Sequence, residues 1–271
     1  MTLTELCQIL EIPEEATKLI LDKETEVKKL GNRIYDLMQP QLWIEALETL
    51  KQELGPDEDG MKILTCQLLC ACCCYEKYQE KKIEEIIFID TMKFFARFLS
   101  DFWEKHQRYQ FVWAWWAVRQ ISMLEFRIGE LEFEMKWEQE AERNVIDVHI
   151  PGDANMQLSL IHDSYLQARN FFLQHYPEYR TAPFVCSSWL LASSLEQLLP
   201  KESNIIQFQK EYTITKVEED SLGFMDWIYG SKDIPIEELP EKTSLQKNVK
   251  EFLKQGGKIG WTSGELSFLS K

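Results

Sequence analysis

Basic residues are scarce in this chain: 30 Lys and Arg stand against 45 Asp and Glu, a formal net charge of −15 over 271 residues. A face that binds phosphates must be basic, so this balance argues against a nucleic-acid partner. No local Lys/Arg run offers such a face either. An acidic surface fits a small-molecule or protein partner, and chiefly reports solubility. Glycine, at 11 residues, never gathers into a P-loop or a dinucleotide-binding pattern, and no nucleophile elbow or paired-cysteine zinc signature occurs. The start, Met1-Thr2-Leu3-Thr4-Glu5-Leu6, lacks the basic flank and apolar core of a signal peptide. A spanning helix needs roughly 20 apolar residues, and the uncharged stretch 63–75 is too short. These absences predict a soluble, cytoplasmic protein with no nucleic-acid or membrane partner.

Seven cysteines are present, five of them crowded at Cys66, Cys70, Cys72, Cys73 and Cys74. A reducing compartment and an odd count speak against a disulfide framework. On a helix Cys66, Cys70, Cys73 and Cys74 would share one side, a conceivable soft-metal site. A structural zinc site draws on two separated ligand pairs, however, and no second pair or nearby histidine exists here. The expectation is a reduced, metal-free helix in which cysteine acts as a small hydrophobe.

Periodicity divides the chain in two. Up to about residue 125 the apolar spacing is helical, with segments 4–10, 14–38, 42–54 and 61–78 separated by Pro13, Pro40 and Gly55-Pro56. Thr4 reads as the first cap. Phe88, Met92, Phe95, Leu99 and Phe102 form a stripe that Phe94, Phe98 and Trp103 widen, which places that helix at the centre of a bundle. Beyond residue 125 the period becomes two: 130–135 and 145–150 alternate polar and apolar residues. A helix follows on Leu158, Ile161, Tyr165, Ala168 and Phe172, then strands at 184–191, 206–214 and 259–268. Thr243 with Gln246 makes a capping box before a last helix that Gly256-Gly257 stops. The expected fold is a helical N-terminal bundle, 1–124, followed by a mixed sheet with flanking helices, 125–271.

His149 is the best single catalytic candidate. It shares a strand face with Asp147, stands just before Pro151-Gly152, and can act as a general base near neutrality; a surface histidine would look the same. Cys186 and Ser188 share a face, but a nucleophile needs a base that sequence adjacency cannot supply. Glu130, Glu132 and Glu134 read as a solvated strand face.

Three segments resemble a known family. They are Trp116-Ala117-Val118-Arg119-Gln120 with 126–134; His149-Ile150-Pro151 with Asp163-Ser164-Tyr165, Ala168 and Phe171-Phe172; and Ser188-Trp189-Leu190-Leu191 with Leu199-Pro200, Ser203-Asn204-Ile205, Leu239-Pro240, Thr243-Ser244-Leu245-Gln246 and Gly256-Gly257. Together they are similar to bacterial acyltransferase-domain proteins that join a helical N-acyltransferase N-terminal domain to a GNAT-like C-terminal domain. The resemblance implies an acyl-CoA or acetyl-CoA co-substrate lying where two central parallel strands splay, attacked directly by a small amine. Those strands would be 145–150 and 184–191. Val148, His149, Ile150 and Gly152 would meet the CoA, while Ser187, Ser188 and Trp189 would line the acceptor side. His149 would be the base, with Glu130 next in line. The sequence departs from the family at the pyrophosphate turn: Pro151-Gly152-Asp153-Ala154-Asn155 has one glycine and an aspartate. It also has no tyrosine at 192–199 to protonate the leaving thiolate, and Tyr212 is the nearest substitute. The runner-up is therefore a non-catalytic GNAT-like module that binds a ligand or a protein.

Overall fold

The computed structural model describes residues 1–267. The chain forms two compact units, Met1–Ile128 and a second beginning at Gly129.

The first unit holds seven helices: α1 (Leu3–Ile9), α2 (Glu14–Val27), α3 (Trp43–Leu54), α4 (Met61–Glu80), α5 (Glu85–Met92), α6 (Phe94–His106) and α7 (Ala114–Ile121). Its core is built on α4, which buries residues on every side, from Ile63 and Leu64 through Cys70 and Ala71 to Tyr78. A helix that is apolar all round belongs at the centre of a bundle. The Phe88–Leu99 stripe is buried as expected, but a break at Lys93 divides it between α5 and α6, so the central helix is α4 instead. The cap of α1 is Thr2 rather than Thr4, because Glu5 at the third helical position completes a capping box with Thr2. Segment 14–38 is not one helix: Gly31, at φ 60° and ψ −138°, breaks the 3₁₀ stretch that follows α2. No strand occurs before residue 125 among the described residues.

The sheet has six strands: β1 (Glu125–Ile128), β2 (Leu131–Glu138), β3 (Arg143–His149), β4 (Phe184–Ser188), β5 (Tyr212–Glu218) and β6 (Trp261–Leu266), in the order β1-β2-β3-β4-β6-β5. Strands β3 and β4 run parallel; β2–β3, β4–β6 and β5–β6 run antiparallel. Helix α8 (Leu158–His175) is the crossover that a parallel pair requires. Its buried stripe, Ile161, Tyr165, Ala168 and Phe172, is the one its spacing predicts. Tyr165 packs on Phe133 of β2 and Phe184 of β4, with ring centroids 6.3 and 5.9 Å away. At Gly129, φ 62°, a Cβ would come within 2.4 Å of Ser164 Oγ, so only glycine lets the chain turn into β2 against α8.

Helices α9 (Asn204–Gln209), α10 (Gly223–Tyr229) and α11 (Ser244–Lys254) complete the second unit. The expected strand at 206–214 is thus half helix: Ser203 caps α9 by accepting from Ile206 N–H, a signal that outweighs the β-branched run after it. The strand at 184–191 likewise ends at Ser188, whose side chain accepts from Leu190 N–H and turns the chain into a 3₁₀ helix. The capping box at Thr243 and Gln246 forms as expected. The last expected strand is β6; its outermost expected residue, Phe268, lies outside the described residues.

Candidate active site

Two features of the sheet single out the end of β3. The first is its pairing with β4, which consists of Ile146–Phe184 and Asp147–Val185. Both strands run further, to His149 and Ser188, while β3 stays paired with β2 as far as His149 and β4 with β6 as far as Ser188. The two central strands therefore hold together where β4 begins, and their ladder ends after two pairs while both strands run on.

The second feature is the polarity of one sheet face. Register parity places Glu132, Glu134, Lys136, Asp147 and His149 on one side of β2 and β3, with Val185 and Ser187 following on β4. The sequence pattern predicts solvated glutamates here, and this is corrected by the structure: Glu132, Glu134 and Asp147 are only 5%, 6% and 8% exposed. Burial of ionised carboxylates is tolerated only with compensating charge and hydrogen bonds. Lys136 supplies both, its Nζ lying 2.6 Å from Asp147 Oδ2 and 3.0 Å from Glu134 Oε2. Burial opposes the charge on Lys136, but Asp147 and Glu134 together hold its pKa above the ordinary value. His149 Nε2 lies 2.9 Å from Glu134 Oε2 and 3.9 Å from Asp147 Oδ2.

The other expected site residues are distributed unevenly around this point. Val148 is buried on the α8-covered side, and Ile150 is half-buried beyond the end of β3. Gly152 is exposed and has open space where a Cβ would stand, so nothing steric requires glycine there. Glu130 lies outside the strands, its Oε2 accepting a 2.8 Å hydrogen bond from Asn155 N–H in the loop after β3. Ser187 shares the polar face with His149, accepting from Trp261 Nε1–H at 2.9 Å and meeting Ser263 Oγ at 2.8 Å. Ser188 points the opposite way, is buried, and its hydroxyl is taken up by the turn at Leu190. Trp189 packs against the core of α9–α11 and its neighbours, so Ser187, Ser188 and Trp189 do not form one lining. Tyr212 is buried on the α8 side, its hydroxyl 2.8 Å from that of Tyr165, and burial pushes its pKa well above the ordinary value.

Sequence reasoning missed Glu134, Lys136, Trp261 and Ser263. For the first two a signal existed. The segments 130–135 and 145–150 are joined by a short connection, which announces an antiparallel hairpin with Glu134 near the Asp147–His149 end of its partner. Folding about the midpoint would set Glu134 opposite Ile146, and the observed register, one residue away, sets it opposite Asp147 and Glu132 opposite His149. Trp261 and Ser263 are more than 70 residues from Ser187, and no local pattern announces that contact.

A model of the N-acyltransferase N-terminal domain matches residues 1–123, and one of the GNAT-like C-terminal domain matches residues 125–266. The second match alone covers more than half of the chain. The protein belongs to this N-acyltransferase family. Its fold is similar to those of three solved acyltransferase structures, each covering 97% of this chain and 86% of its counterpart. One, in complex with decanoyl-CoA, has TM-score 0.81 and 21% identity. Another, with decanoyl-CoA and teicoplanin, has TM-score 0.80 and 22% identity, and a third, with CoA and 10C-teicoplanin, has 0.81 and 22%. No curated protein matches the chain.

Where the β3–β4 ladder ends, the strand groups beyond it are open to an extended ligand that carries its own amide hydrogen-bonding groups. Helix α8 begins at Leu158 without a side-chain cap or an acidic residue in its first turn, which suits an anionic group at its N-terminus. The loop before it fits less well: Asn155 N–H already serves Glu130, and Gln157 N–H already serves Asn155 Oδ1.

Proposed function

We propose that the protein is an acyl-CoA-dependent N-acyltransferase that acts on a small amine in the cytoplasm, with its catalytic domain beginning at residue 125. The observation that carries this reading is the parallel β3–β4 pair whose ladder stops after Asp147–Val185, with His149 two residues beyond. Direct acyl transfer needs an acyl donor held there, a deprotonated amine, and a sink for the amine's proton. The amine nitrogen forms a bond to the thioester carbon, the C–S bond breaks, and the proton goes to His149. The imidazolium then returns that proton to the CoA thiolate or to water. Ser187, held by Trp261 and Ser263, lies on the same face and supports a role in seating the acceptor. Val148 and Ile150 flank the base on β3, where the pantetheine would run. Glu130, by holding Asn155, shapes the loop nearest the phosphates.

Two measurements test this. Saturating acyl-CoA stabilises any protein that binds it only when folded, by about 2.7 kcal/mol at 100 times Kd, and the melting temperature should rise accordingly. His149→Ala should then lower turnover about 10²- to 10⁴-fold and leave that thermal shift in place. Full turnover in His149→Ala removes the histidine from the mechanism.

One observation favours a second reading, a non-catalytic GNAT-like binding module. The carboxylate of Glu130 occupies an N–H in the loop where a CoA pyrophosphate would be held. No melting shift with acetyl-CoA or longer acyl-CoA would select that reading.

A further inference from the structure

Six ionisable side chains besides His149 stand on the polar face of β2 and β3: Glu132, Glu134, Lys136 and Asp147 near the histidine, and the Glu138–Arg143 pair at the far end. As a contribution to stability this is a poor arrangement, because desolvating several charges costs more than packing apolar groups of the same size. Its geometry is specific all the same. One oxygen, Glu134 Oε2, receives Lys136 Nζ at 3.0 Å and His149 Nε2 at 2.9 Å. Asp147 is the other anchor of Lys136, at 2.6 Å, yet is too far from the imidazole, at 3.9 Å, to hydrogen-bond it.

An ionised carboxylate can only accept, so a neutral His149 must donate Nε2–H to Glu134 and keep its lone pair on Nδ1. Lys136 restrains the same carboxylate oxygen, so the ring orientation is fixed through Glu134 rather than left to rotamer choice. The surroundings are also acidic, with Glu132 opposite His149 in the ladder, Glu134 and Asp147 beside it, and Lys136 bridging the latter two.

The geometry points to Glu134 as the positioning residue for His149: it selects the Nε2–H tautomer, makes Nδ1 the nitrogen that takes the amine's proton, and faces the imidazolium so formed. Lys136 and Asp147 hold Glu134 in place. This inference rests on the reading of His149 as general base. Glu134 itself touches no reacting atom, and it stays ionised throughout, since the proton moves from the amine to Nδ1 and onward to the thiolate.

The test uses the full chain with Glu134→Gln, which keeps the side-chain shape, and Glu134→Asp, which keeps the charge but withdraws it by one methylene. Glu134→Gln should lower kcat by about 10²-fold or more with the KM for acyl-CoA unchanged; replacing the orienting carboxylate of a catalytic triad by an amide costs about 10⁴. Glu134→Asp should recover part of the loss. The double variant with His149→Ala should fall no further than His149→Ala alone. Multiplicative losses, or a change confined to KM, overturn the inference. A second arm needs no turnover. Imidazole ¹⁵N spectra near neutral pH, assigned with His149→Ala, should show the Nε2–H tautomer in the wild type and a mixture in Glu134→Gln. An Nδ1–H wild-type tautomer, or one that Glu134→Gln does not move, overturns it as well. Should the wild type acylate no amine, the functional reading fails by itself while the spectra still decide the role of Glu134. Should Glu134→Gln not fold, Glu134→Asp is read in both arms in its place.

Discussion

Helix α4 and the β2–β3 hairpin both bury groups that can ionise, and they deal with them in opposite ways. On α4 the buried groups are thiols and neutral side chains that lean on backbone carbonyls: Cys70 Sγ on Ile34 O at 3.3 Å, Thr65 Oγ1 on Met61 O at 2.7 Å, Gln67 Nε2 on Ala114 O at 2.7 Å. On the hairpin the buried groups are carboxylates held by a lysine and a histidine. Burial is the largest cause of the raised thiol pKa values on the helix, whereas on the strands Asp147 and Glu134 raise that of Lys136 against the effect of burial. Ordinary packing explains the first pattern, and it does not explain the second, which makes the hairpin the candidate for chemistry.

The largest expected contrast is in the cysteines. Burial raises Cys66, Cys72 and Cys74 each to about 12, against an ordinary thiol near 9. Only the thiolate reacts, so at pH 8 their alkylation in the native protein should be slower by about a thousandfold than in the unfolded chain. Cys73 is the partly exposed member of the group and should label first. The linkage has a definite sign. A folded-state pKa above the unfolded one gives stability that is complete below about pH 9 and is lost as pH rises towards 12. Chemical denaturation followed from pH 8 to 11 should therefore show the helical unit weakening with alkali. Rapid labelling of Cys66 or Cys74 in the folded protein would show that α4 is not the buried core.

A core substitution sharpens the same comparison. Leu64 is fully buried on α4. Leu64→Ala removes apolar burial and leaves a cavity, a loss of about 2–5 kcal/mol in urea unfolding. Glu134→Gln should cost much less stability than that and far more activity. If the two variants lose stability equally, the hairpin charges are part of the scaffold.

How much of this could be seen beforehand depended on whether the cause was local. The switch of period at residue 125 located the helical and sheet regions because each period is fixed by backbone geometry. Stripes on α5, α6 and α8 were legible for the same reason, and so was His149 on β3. The two mistaken strands, 184–191 and 206–214, failed where a serine cap turned the chain, since a single side-chain hydrogen bond outweighed several residues of β propensity. The glutamates of β2 failed differently. Alternation shows which side chains share a face but not whether that face is covered, and the burial of Glu132 and Glu134 is a tertiary fact. The Ser187–Trp261–Ser263 contact joins strands far apart in sequence, and only the sheet order reveals it.

The smallest contrast lies in two capping boxes, one in each unit. In the second, Thr243 Oγ1 accepts from Gln246 N–H at 3.1 Å, and Gln246 Oε1 accepts from Thr243 N–H at 3.3 Å and Lys242 N–H at 2.8 Å. Gln246 also joins α11 to α10, its Nε2 donating to Ile228 O and its carbonyl accepting from Tyr229 Oη. Thr243→Ala should cost about 1 kcal/mol, the usual loss of an N-cap side chain. In the first box, Thr2 pairs with Glu5, whose Oε2 accepts from Thr2 N–H at 2.7 Å. That backbone hydrogen bond, with the Thr2 hydroxyl, holds the Glu5 carboxyl below its ordinary value. A depressed carboxyl contributes stability above its unfolded pKa, near 4.5, and loses it as pH falls through the folded one. The box at α1 should therefore weaken in acid and the one at α11 should not, because glutamine does not titrate. Paired unfolding curves at pH 7 and pH 3 read this directly: the deficit of Thr2→Ala should shrink at pH 3 while that of Thr243→Ala stays the same. A Thr243→Ala deficit that fell with pH would mean that a titrating group, not Gln246, completes the cap of α11.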